Sequence, residues 1–205
     1  MHTKNIITRG EPLSKATRAL VMIHGRGASA ADILSLSNYL NVTGFALLAP
    51  EANDHTWYPF PFIAPPTQNE PALSSALQLL GNIVSDISAE GIHDEQIYFL
   101  GFSQGACLTL EFVTRNARRW GGVAAFTGGL IGDKIYMENY KGDFNLTPVF
   151  IGSSDPDPHI PVPRVKETVR VLKGMNAAVT EKLYPDMGHT VSMEEIEEVN
   201  RLLFK

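Results

Sequence analysis

The chain has a single cysteine, Cys107, among its 205 residues. No internal disulfide can form, which agrees with a reducing compartment. There is no cysteine cluster to share a metal, and His2, His55 and His93 stand at no ligating spacing, so neither a metal nor another cofactor is expected. Like-charge runs are missing too. Lys and Arg number 17 against 22 Asp and Glu, a formal net charge of -5, and a dispersed, mildly acidic chain argues against nucleic acid as a partner. No apolar run approaches the roughly 18 residues that cross a bilayer. Met1-His2-Thr3-Lys4-Asn5 lacks the apolar core of a secretory signal. The expected location is cytoplasmic, with no integral membrane segment. Repeats, linkers and low-complexity tracts are also absent, and a chain of this length can bury roughly 70% of its unfolded surface as one domain, residues 1–205.

What is present is an alternation of apolar strands and amphipathic helices. Ile6 to Thr8 reads as a short edge strand. Ala19-Leu20-Val21-Met22-Ile23 is continuously apolar, as strands buried on both faces are, and runs into the glycine turn His24-Gly25-Arg26-Gly27. Ile33, Leu36 and Leu40 then mark a helix. Phe45 to Ala49 is a second strand, followed by a long stretch, Glu51 to Glu70, rich in proline and in the aromatics Trp57, Tyr58, Phe60 and Phe62. Loops of this length in compact domains carry function or are disordered, and the aromatic content argues against disorder. Leu73 to Ile87 recurs at helical spacing and closes at Gly91. Further strands are expected at Ile97–Leu100, Val123–Phe126, Pro148–Ile151 and Val179–Tyr184, with helices after Ser103, Pro161 and Ser192. Ser192 and Glu195 form a Ser-x-x-Glu capping box. The expected architecture is α/β, a mainly parallel sheet with helices on both faces, its ligand site at the carboxyl ends of the strands.

One stretch carries chemistry on its face. Gly101-Phe102-Ser103-Gln104-Gly105 joins a buried strand to a helix, the setting in which Gly-x-Ser-x-Gly forms a nucleophile elbow: a strained turn lifts the serine above the sheet, and only tiny flanking residues leave it room. A serine hydroxyl needs a base, and the base an acid to orient it. Candidates follow in the order Ser, Asp, His that the α/β-hydrolase arrangement requires: Ser103, an aspartate after the Ile151 strand, and His189 after the last strand. His189 is read as the proton acceptor, histidine being the side chain that titrates near neutrality. Gly188 is expected to leave space beside its ring. Asp155 and Asp157 both qualify for the acid by position.

The N–H of Gln104 and that of Arg26 are the expected oxyanion donors, with Gly25 and Gly27 letting the backbone turn inward. For the Arg26 side chain a surface salt bridge is expected ahead of the other reading, contact with an anionic substrate group. His24 reads as a structural histidine of the turn, His159 as a packing or capping residue ahead of a group that supports the triad or meets the substrate, and Cys107 as a small buried hydrophobe beneath the elbow. Trp57 is the leading candidate of the aromatic loop for a substrate-binding wall, against plain packing of that loop. Exposed aromatics there offer a surface for a homodimer contact.

Taken together, Leu20–Gly27, Gln68-Asn69-Glu70-Pro71, Gly101–Ala106, Asp157-Pro158-His159-Ile160-Pro161 and Met187-Gly188-His189 resemble the phospholipase/carboxylesterase family of small α/β-hydrolases, which includes acyl-protein thioesterases and bacterial carboxylesterases. The resemblance covers nearly the whole chain. It implies a lidless, cofactor-free fold with Ser103 as nucleophile, Asp157 as acid, His189 as base and Gln104 with Arg26 at the oxyanion. The chain departs from the simplest family pattern in Asp155-Pro156 ahead of Asp157, in Arg26 where thioesterases often carry leucine, and in its aromatic loop. Those departures favour a carboxylesterase acting on small to medium acyl esters through an acyl-enzyme intermediate. Lysophospholipase or acyl-protein thioesterase activity is the alternative, and a ligand-binding homologue without turnover is the reading from another class.

Overall fold

The computed structural model describes residues 1–205. Seven strands form one sheet: β1 Ile6–Gly10, β2 Arg18–Ile23, β3 Phe45–Pro50, β4 Ile97–Phe102, β5 Gly122–Phe126, β6 Pro148–Asp155 and β7 Ala178–Pro185, in the spatial order β1-β3-β2-β4-β5-β6-β7. Only β1 runs antiparallel, along β3 at one edge. The other pairings are parallel, so each needs a crossover: helices α1 Ala30–Ser35, α2 Ala72–Ala89, α3 Gln104–Arg115 and α4 Val162–Gly174 lie in these connections, the chain between β5 and β6 crosses with only a 3₁₀ turn at Met137–Asn139, and α5 Met193–Leu203 closes the fold.

The unbroken apolar strands are explained by burial on both faces. In β2, Ala19, Val21 and Ile23 point into a core shared with α2, α3 and α4, whereas Leu20 and Met22 point into a second core beneath α1 and α5. Because side chains alternate along a strand, both sets must be apolar. Each fully buried Leu, Ile or Phe contributes about 1.5–3 kcal/mol.

Local signals set two of the helix starts. Ser29 caps α1 and Ser192 caps α5 through complete capping boxes with Asp32 and Glu195. The helix expected to run through Leu40 stops at Ser35 and tightens into a 3₁₀ turn at Leu36–Asn38. The Ser35 hydroxyl bonds the Asp32 carbonyl and the Ser37 hydroxyl the Leu34 carbonyl, the local competition that makes serine a weak helix former. The long stretch after β3 is irregular apart from 3₁₀ turns at Asn53–His55 and Pro66–Asn69.

Register brings the functional loops together. Ile23 pairs with Gly101, Phe102 with Phe126, Phe126 with Gly152, and Asp155 with Pro185. The turns leaving β2, β4, β6 and β7 therefore open on the same rim of the sheet.

Candidate active site

The turn between β4 and α3 is built by steric exclusion. Ser103 holds φ 54° and ψ -119°, a conformation that costs a non-glycine residue of order 1–3 kcal/mol. Its neighbours permit the cost. A Cβ on Gly105 would stand 2.2 Å from the Ile23 carbonyl oxygen, and one on Gly101 would stand 2.4 Å from that of Gly105. Only glycine fits at either place, so the Gly-x-Ser-x-Gly spacing is a packing requirement of helix α3 against strands β2 and β4.

Ser103 and His189, 86 residues apart, meet at 2.8 Å between Oγ and Nε2. On the other side of the ring, Nδ1 lies 2.9 Å from Asp157 Oδ2. A carboxylate only accepts, so Nδ1 carries the proton and donates it, leaving the Nε2 lone pair to accept the serine hydroxyl. The Asp157 side chain is fully buried, and burial alone would raise its pKa. The bond from His189 and those from the N–H groups of His159 and Ile160, each 2.8 Å from Oδ1, outweigh that and hold the carboxyl below its ordinary range. Asp155 is exposed at the end of β6, and its carbonyl accepts the N–H of Asp186.

Two further contacts fix the imidazole. Phe102 lies 5.2 Å from it, centroid to centroid, and His159 stands edge-on at 4.8 Å. Gly188 does not serve by leaving space: a Cβ there would meet nothing, and its φ of +79° is what demands glycine. The Gly188 N–H donates to Ser154 Oγ at 2.9 Å and ties the histidine loop to β6.

The N–H of Arg26 has no acceptor in the protein, and that of Gln104, at the first position of α3, has none within its helix. Both flank Ser103. Their side chains do something the sequence did not reveal. Gln104 Oε1 accepts the Trp57 N–H at 2.9 Å, and its Nε2 donates to the Tyr58 carbonyl at 2.8 Å. Arg26 donates from Nη1 to the Pro59 carbonyl at 2.9 Å and from Nη2 to that of Phe60 at 3.0 Å. The salt bridge expected of Arg26 is absent. Two polar side chains thus strap residues 57–60 across the elbow.

Trp57 is not a wall of the site. It is wholly buried; its indole N–H donates to the His24 carbonyl at 2.9 Å, and its ring lies 5.0 Å from that of His24. The straps turn the backbone so that Trp57 points under the loop after β2, and Tyr58 and Phe62 reach the cleft instead. His24 is structural: Nδ1 donates to the Gly25 carbonyl at 2.8 Å, and Nε2 accepts the Ala52 N–H at 3.1 Å. Cys107 is buried at the floor of the cleft, where desolvation pushes its thiol up to about 12.

Two clefts flank the serine and histidine. The first, about 460 Å³, contains Ser103 and His189 and is lined by Arg26, Tyr58, Phe62 and His159 among others. The second, about 340 Å³, lies on the far side of His189 and is lined by Asp32, Ile33, Leu36, Phe102 and Val191, without the serine.

Comparison with known proteins gives a consistent result. The model of the phospholipase/carboxylesterase family matches residues 5–205. The crystal structure of a phospholipase/carboxylesterase from Dyadobacter fermentans is 56% identical, superposes with a TM-score of 0.98, and is covered to 98% by all of this chain. Acyl-protein thioesterase 1 of Gibberella zeae is 33% identical over 60% of the chain, which spans only 54% of that relative's length. Acyl-protein thioesterase 1 of Saccharomyces cerevisiae is 27% identical over 94% of both proteins.

Proposed function

The chain belongs to the phospholipase/carboxylesterase family, and from that premise we propose that it hydrolyses carboxylic esters of small to medium acyl chains with Ser103 as nucleophile, His189 as base and Asp157 as acid. The observation that carries the reading is the unbroken hydrogen-bonded line from Ser103 Oγ through both ring nitrogens of His189 to Asp157. In it, Oγ attacks the ester carbonyl as its proton passes to Nε2. The negative charge that develops on the carbonyl oxygen is taken by the N–H groups of Arg26 and Gln104, an arrangement worth about 3–4 kcal/mol per donor in related chemistry. Collapse breaks the C–O bond, and the imidazolium gives its proton to the departing alkoxide, leaving the acyl group on Ser103. Water then attacks the acyl carbonyl as His189 takes its proton, and the bond to Oγ breaks as His189 passes that proton to Oγ, restoring the serine and freeing the carboxylic acid.

The two clefts divide the substrate. The first holds the nucleophile together with Arg26 and Gln104, so the acyl group, bonded to Ser103 in the intermediate, belongs there. The second holds His189 without the serine and suits the alcohol that the imidazolium protonates. The first cleft mixes Arg26 and His159 with Tyr58 and Phe62, which supports modest acyl groups over a long lipid chain. Thioester hydrolysis is the second reading, favoured by the acyl-protein thioesterases among the relatives, and it uses the same steps with a thiolate leaving.

The test is turnover of p-nitrophenyl esters from acetate to palmitate, and of matched acyl thioesters, by the wild type and by Ser103→Ala. Ser103-dependent hydrolysis with an optimum at short to medium chains is the expected result. A palmitate optimum or a strong thioester preference moves the assignment to the lipid or thioester substrates. No serine-dependent turnover leaves a ligand-binding protein.

A further inference from the structure

The first cleft has an unusual electrostatic lining for a protein of net charge -5: no aspartate or glutamate lines it, and its basic side chains are Arg26, His159 and His189. Arg26 is exposed at the mouth. No carboxylate of the chain pairs with it. Its two terminal nitrogens are held by the Pro59 and Phe60 carbonyls, which fix the guanidinium in place without neutralising it. Two of its five N–H groups are used there, and the remaining three are free to donate. The His159 ring also makes no hydrogen bond, and it stands edge-on to His189 at the rim, where it offers an N–H in either ionisation state. The second cleft is polarised the other way. Its charged lining residue is Asp32, whose Oδ2 accepts from the Ser29 N–H and hydroxyl.

We propose that the first cleft selects acyl groups that carry a terminal anion, so that the substrates are half-esters of dicarboxylic acids, with Arg26 and His159 binding the free carboxylate and the Asp32 cleft taking a neutral or cationic alcohol. The proposal rests on the ester-hydrolase reading and deepens it. A cation already immobilised by two backbone carbonyls loses little freedom when a carboxylate docks, and a planar guanidinium matches that carboxylate's two oxygens. An acyl group with a purely apolar tail would leave the same guanidinium without an anionic partner. The opposed charges of the two clefts also fix orientation, because reversing the substrate would set its carboxylate beside Asp32.

The experiment compares mono-p-nitrophenyl adipate with p-nitrophenyl hexanoate, esters of equal carbon count that differ in the terminal carboxylate. The quantity read is the ratio of their kcat/KM values within each protein, so that any general loss of activity cancels. The wild type should prefer the adipate half-ester by about tenfold, as one charged hydrogen-bonded contact supplies, and the preference should shrink as salt is raised. In Arg26→Met the ratio should fall about tenfold, in Arg26→Lys it should fall less, and in His159→Ala it should fall by a smaller factor than in Arg26→Met. A wild-type ratio near one, or a ratio unchanged in Arg26→Met, overturns the anion subsite while leaving the hydrolase reading intact. Absence of Ser103-dependent turnover of both esters removes the hydrolase reading and this proposal with it.

Discussion

Asp157 Oδ2 lies 2.9 Å from His189 Nδ1, and the same carboxylate's other oxygen accepts two backbone N–H groups. Asp155, only two residues earlier, ends a strand and faces solvent. The two acids that the sequence leaves open are therefore unequal. Replacing Asp157 with asparagine keeps the shape but removes the charge that fixes the Nδ1–H tautomer, and kcat should drop on the order of 10⁴-fold. Asp155→Asn should stay within about threefold of wild type, as an exposed group away from the reacting atoms. Steady-state kinetics on p-nitrophenyl butyrate decides, and a large loss at position 155 instead would reverse the assignment.

Trp57 and Phe62 separate stability from selectivity. Trp57→Phe removes the N–H that satisfies the buried His24 carbonyl and leaves a small void, so urea denaturation should show a loss of about 2–3 kcal/mol. The acyl-chain optimum should not move. Phe62→Ala opens the wall of the first cleft, and kcat/KM for octanoate relative to butyrate should rise about tenfold. A shift of optimum in the tryptophan variant would restore Trp57 as a substrate contact.

Glu195 makes stability depend on pH in a defined direction. It is wholly buried and its Oε1 has no partner. Burial raises its carboxyl to about 7, with repulsion from Glu194 adding to the rise and the Ser192 N–H and hydroxyl opposing it. The folded state thus binds the proton more tightly than the unfolded chain, and this group's contribution to stability is fully present below about 4.5 and falls as pH rises toward about 7. Glu195→Gln keeps an acceptor for the Ser192 cap and carries no charge to bury. Its stability relative to wild type should increase between pH 4.5 and 7 and level off above, by on the order of 3 kcal/mol. Thermal melts of both proteins across that range check this, and a flat difference would place the charge of Glu195 in contact with water.

Much of the architecture was legible because it rests on local rules. Unbroken apolar strands such as Ala19–Ile23 announce a sheet covered on both faces, and helix α2 follows from the spacing of Leu73, Ala76, Leu80 and Ile83. Apolar periodicity carries the helix after Ser29 past its end at Ser35, because Ser35 and Ser37 turn their hydroxyls onto nearby carbonyls, a choice periodicity does not register. The salt bridge expected of Arg26 and the wall expected of Trp57 failed together. Both depended on the path of a proline-rich loop that carries no regular hydrogen-bond ladder, and that path is set by Gln104 and Arg26 from distant positions.

By itself the sequence determined the elbow, since Gly101 and Gly105 are the residues whose missing Cβ atoms allow the turn, and it determined the order of strands, helices and candidate chemical groups along the chain. Only the tertiary structure decided which aspartate meets His189, which aromatics face the cleft, and that Arg26 stands there unpaired. Those outcomes depend on strand register and on hydrogen bonds between residues 32 to 47 positions apart. A local pattern carries no record of contacts that exist only once the sheet has brought its loops to one rim.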